Sequence, residues 1–122
     1  MLRAAAAEIS ALGLAVAFPD FTRRALAQTL TEEFISGACH AGRFETSLVL
    51  ADRPDLVDEP AAHSLRENAA SLTIAMSKGA RTFHEAGGPD AYFGAPALAT
   101  VEEGEQSYTV MAKALAAAVR EA

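Results

Sequence analysis

Alanine carries much of this chain's apolar content, in runs such as AAAA at 4–7 and ALAAAV at 114–119. Alanine is the best intrinsic helix former, so these runs favour helices that pack closely. Each alanine takes little area out of water, however, and hydrophobic stabilisation scales with that area. Over 122 residues, enough for one domain, a core built this way is thin. The expectation is a single domain, 1–122, rich in close-packed helices and with a surface that meets a partner.

The order of apolar patterns adds strands to those helices. Leu2, Ala5, Ile9 and Leu12 recur at helical spacing, and Gly13 supplies a stop. LAVAF at 14–18 follows with almost no loop and predicts a buried parallel strand. Asp20 is placed to cap a helical FTRRALAQTL. The next stretch, TEEFISGACH, breaks the pattern with Ser36, Gly37 and Ala38. AGRFETSLVLAD then predicts a helix with Phe44, Leu48 and Ala51 on one stripe, and Pro54 ends it near Arg53. Residues 54–70 read as surface with a short helix at 61–68, and SLTIAMS at 71–77 predicts a second strand. Residues 78–100 hold four of the eight glycines and two of the five prolines, which predicts a long structured loop. The closing helix opens with acids at 102, 103 and 105 and carries Lys113 and Arg120 in its second half, complementing its dipole. Tyr108, Met111, Leu115 and Ala118 are its expected buried stripe. Helices alternating with apolar runs imply an α/β fold with a mainly parallel sheet.

Charge and cysteine content narrow the setting. The net charge of −6 and the lack of a basic cluster argue against a nucleic-acid partner. No apolar run reaches the length needed to span a bilayer. The N-terminus has Arg3 before an apolar stretch, as a signal peptide does, but Glu8 interrupts it and helix-then-strand fits better. With Cys39 as the single cysteine there is no intrachain disulfide, and a reducing cytoplasm is the expected location.

Chemistry concentrates in CHAGRFETSLVL, 39–50. His40 stands just before a predicted helix N-terminus, where the dipole disfavours imidazolium. A histidine kept neutral is a general base, although a lone histidine is commonly structural. Small neighbours on both sides, Ser36, Gly37, Ala38, Cys39, Ala41 and Gly42, let a substrate approach closely. Glu45 lies in the first helical turn, where an acid can simply complement the dipole. If that end is buried, its carboxylate needs a cation, a metal or a donor. A Cys39–His40 nucleophile pair has no orienting third member, and a small apolar role for Cys39 fits better. His63 and His84 are far from His40 in sequence, and no HxH, HxxxH or HxE spacing exists.

The run HAGRFETSLVLADRPDLVDE, 40–59, resembles the creatininase family, whose motif is His-Ala/Gly-Gly-x-x-Glu-Thr-Ser with an apolar helix and a Pro-Asp/Glu-Leu-Val ending. FGAPALATVEEGE, 93–105, looks like the same family's Gly-Asp-Pro-x-x-Ala-x-x-x-x-Gly-Glu segment, with Ala95 where an aspartate is usual. The resemblance implies the C-terminal half of an α/β/α sandwich, hexameric assembly and metal-dependent hydrolysis of an amide, cyclic amide or formamide C–N bond. It implies zinc or manganese, His40 as general acid/base and Glu45 at the edge of the metal site, the one candidate ligand. The family's other ligands, in Glu-x-His and Asn-Gly-His segments, do not occur here. They are therefore expected from a missing N-terminal half, on a longer parent or a partner chain. Ser36 and Cys39 replace the tryptophan and acid that creatininase itself carries, which weighs against creatinine as substrate. The rival expectation is a non-catalytic fragment or assembly subunit that keeps the fold and its interfaces.

Overall fold

The computed structural model describes residues 2–21, 23–37 and 40–122. Seven α-helices are found among them: α1 (Leu2–Ala11), α2 (Arg24–Ala27), α3 (Glu32–Ser36), α4 (Arg43–Asp52), α5 (Glu59–Ser64), α6 (Leu72–Ser77) and α7 (Val101–Glu121). Single 3₁₀ turns at Pro54–Leu56 and Pro96–Leu98 complete the regular structure.

The expected α/β/α sandwich with a mainly parallel sheet does not form. Among the described residues there is no strand, only two isolated antiparallel bridges, His40 to Phe93 and Asn68 to Gly94. The physical reason lies in the two segments read as strands. Residues 71–77 fold instead as α6, whose N-terminus is capped by the Ser71 hydroxyl accepting the Ile74 N–H at 3.4 Å. Leu72 and Ala75, three residues apart, turn one helical face onto the core. Residues 14–18 form neither helix nor strand, and a ladder needs a second strand to pair with.

Two packing centres hold the fold. In the first, α4 lies against α7. A Cβ at Gly104 would overlap the Ser47 carbonyl oxygen and lie 2.7 Å from the Ala51 Cβ. Only glycine permits that approach. Ser47 is fully buried there and its Oγ accepts the Thr100 N–H at 3.0 Å. Ser107, one turn along from Gly104, is also buried. The buried face of α7 is thus Gly104 and Ser107; of the predicted stripe, Met111 and Ala118 are half-buried, while Leu115 and Tyr108 are exposed, the Tyr108 hydroxyl still donating to the Leu48 carbonyl of α4 at 3.2 Å. Small residues win at the crossing because the helix axes approach closely there.

The second centre is Phe93, fully buried, with Ala86 and the partly buried Ala70, Leu72, Ala75 and Ala80 around it. The long loop is therefore structured, as its composition predicts. Asn68 organises it: its backbone exchanges two hydrogen bonds with Gly94 (2.8 and 2.7 Å), and its side-chain amide donates to the carbonyls of Gly87 and Tyr92. The helix α1, by contrast, buries no residue. An ion pair from Arg3 to the buried Asp20 ties it to the segment that follows. Among the described residues no helix is long and apolar enough to cross a membrane.

Candidate active site

The predicted active-site stretch arrives at a corner made by α3, the start of α4 and the Phe93 loop. Thr31 caps α3, its hydroxyl accepting the Phe34 N–H, and Gly37 closes that helix in a left-handed conformation. The Ser71 hydroxyl donates to the Ser36 carbonyl at 3.1 Å, tying the end of α3 to the start of α6.

His40 is half-buried. Its carbonyl accepts the Phe93 N–H at 2.7 Å, so the buried core anchors its backbone. Its imidazole lies tilted against the Phe83 ring, with centroids 4.5 Å apart, and Phe83 in turn meets Phe93 edge-on at 5.9 Å. The next residue, Ala41, has φ +50°, a left-handed conformation that costs a non-glycine residue about 1–2 kcal/mol. Glu45 holds it there: its carboxylate accepts the Ala41 N–H at 2.6 Å. Glu45 is exposed, so no buried charge demands a counter-ion. No hydrogen bond between described residues joins the His40 ring to the Glu45 carboxylate. The two share the corner through the backbone between them.

Of the other predicted positions, Gly42 is buried, Ala41 is exposed, and Ser36 and Gly37 end α3. Ala38 and Cys39 lie outside the described residues. Gly42 requires its missing side chain: a Cβ would overlap the Phe93 carbonyl and come within 2.7 and 2.8 Å of the Glu33 carboxylate.

Glu33 is the residue that sequence reasoning missed. Its two carboxylate oxygens accept the N–H groups of Arg43 (2.9 Å), Phe44 (2.7 Å) and Ala95 (2.7 Å). They cap α4 in place of the side chain that Gly42 lacks and join α4 to the Phe93 loop. An acid in the first turn of a short helix carries no sequence mark of that reach. Beside it a cavity of ≈ 290 Å³ is lined by Glu32, Glu33, Arg43, Glu103, Gln106 and Ser107, among others. Arg43 pairs there with Glu103, whose other carboxylate oxygen is buried with no hydrogen-bond partner among the described residues.

The described residues do not fit a zinc or manganese ion. Among the described residues no three of His, Cys, Asp or Glu stand close enough to hold one. Glu45 spends an oxygen on backbone, and His40 faces an aromatic ring.

No curated protein and no solved structure matches the chain. The creatininase family model, described as creatinine amidohydrolase, matches residues 1–119, so the resemblance carried by residues 40–59 and 93–105 extends along nearly the whole sequence. With its motif histidine and glutamate set at this corner, the chain belongs to the creatininase family.

Proposed function

We propose that this chain serves the hydrolysis of an amide, cyclic amide or formamide C–N bond, with His40 as the proton-transfer group. Family membership supports the reaction class. The observation that carries the role of His40 is its setting: a half-buried imidazole on a backbone anchored to Phe93 on one side and held by Glu45 on the other. Preorganisation of this kind lets a side chain work as general acid and base. Water adds to the carbonyl carbon, His40 takes its proton, and the same proton passes to the nitrogen as the C–N bond breaks. Glu45 keeps the His40–Gly42 turn in place. Of the small residues expected to let a substrate approach, Ser36 and Ala41 are exposed beside His40 in sequence.

Creatininase-family chemistry is generally metal-dependent. Since the described residues hold no metal cluster, zinc or manganese enters this proposal with ligands from a partner chain. Surface area supports a partner. A compact monomer of 12.7 kDa exposes roughly 6,200 Å², whereas this chain exposes 8199 Å². Leu2, Ile9, Leu12, Leu14, Leu115 and Val119 are all part of that exposed surface. Other copies of the chain, or a chain carrying the remaining ligands, would cover it in a cytoplasmic assembly.

The lack of a metal cluster among the described residues favours a second reading, an assembly subunit without chemistry of its own. One experiment separates them. The protein purified from its own cells is assayed with zinc or manganese for amine or ammonia release from formamides and cyclic amides, with the His40→Ala variant alongside. Turnover in the wild type and a loss of at least a hundredfold in the variant are expected. Turnover that His40→Ala leaves intact removes His40 from the mechanism, and no turnover in any metal leaves the assembly role.

A further inference from the structure

We propose that Glu33 is the positioning residue of the His40 corner, an inference that rests on the role given to His40 above. The corner is made of two backbone segments that meet at the His40–Phe93 bridge. Neither is held in place by regular sheet structure. Glu33 reaches both: one oxygen accepts the N–H groups of Arg43 and Ala95, the other that of Phe44. One carboxylate thus fixes the start of α4, three residues after His40, to the loop two residues after Phe93. Close packing makes the link specific, since Gly42 leaves no space between Glu33 and the Phe93 carbonyl.

All three partners of Glu33 are donors, so both of its oxygens must accept. Glutamine has the same shape but offers one oxygen and one NH₂. Its NH₂ would face at least one backbone N–H, and a hydrogen bond to the corner is lost. If Glu33 only filled space, glutamine would replace it without effect.

The test reads the His40 ring directly and needs no turnover. The full chain is labelled with ¹³C-histidine, and its three histidines are assigned with a His40→Gln variant. In the wild type, the Phe83 ring 4.5 Å from the imidazole is expected to shift the carbon-bound protons of His40 away from those of the exposed His63 and His84. In Glu33→Gln the His40 signals are expected to move toward those of His63 and His84, with helicity by circular dichroism retained. Glu33→Asp keeps two accepting oxygens one methylene shorter, and an intermediate shift is expected. It also serves as the reading if Glu33→Gln unfolds. Unchanged His40 signals in a folded Glu33→Gln, or in Glu33→Asp where Glu33→Gln unfolds, overturn the proposal. In preparations that turn over, kcat in Glu33→Gln should fall on the order of a hundredfold, with KM held, as small misplacements do. Absence of turnover in the wild type counts against the amidohydrolase reading alone and leaves the ring signals to judge Glu33.

Discussion

Gly42 is where the corner tolerates least. Any side chain there overlaps the Phe93 carbonyl and crowds the Glu33 carboxylate. Gly42→Ala should therefore push apart the segments that His40 and Phe93 join. A loss of about 1–3 kcal/mol is expected, as for other overpacked sites, read as a lower urea midpoint with an unchanged slope. A midpoint within error of the wild type would mean the corner is looser than these contacts imply. At this scale the placement of His40 before a helix start and of Glu45 in its first turn was legible, because both are local patterns. Of the partners left open for Glu45, a cation, a metal or a donor, the fold supplies a donor, the Ala41 N–H, a choice that no local pattern makes. Glu33 was invisible, because its contacts lie up to 62 residues away along the chain.

The pair of α4 and α7 is held by what its contact lacks. Gly104 sits against the Ser47 backbone, and the buried Ser47 hydroxyl accepts the first N–H of the α7 approach, that of Thr100. A methyl at position 104 must drive the helices apart and strain that bond. We expect Gly104→Ala to cost about 1–3 kcal/mol, despite alanine's better helix propensity, which on an exposed face would stabilise by up to about 1 kcal/mol. The sign of the change in thermal midpoint decides between packing and propensity. The boundaries of α1, α4 and α7 follow from periodicity, Gly13 and Pro54, all readable in the chain. The identity of α6 does not. A short apolar run has no period that separates helix from strand, and here the Ser71 cap and a buried Leu72–Ala75 face settle it as helix.

For the whole molecule the thin core is the governing fact. Phe93 is its one large, fully buried apolar side chain among the described residues, and it also anchors His40. Phe93→Ala should cost about 3–5 kcal/mol, against a total stability of about 5–15 kcal/mol for an ordinary domain. Urea unfolding should show the midpoint roughly halved or the transition lost, and a small shift would place the core elsewhere. The sequence by itself determined the alanine-rich helices, the loop around Phe93 and the family motif, because each is written in local spacing and residue type. The tertiary structure alone decided that 14–18 stays without a sheet, that α7 packs through Gly104 and Ser107, and that Glu33 ties the corner together. Those outcomes depend on which distant groups come within hydrogen-bond or van der Waals reach, and no local pattern encodes that distance.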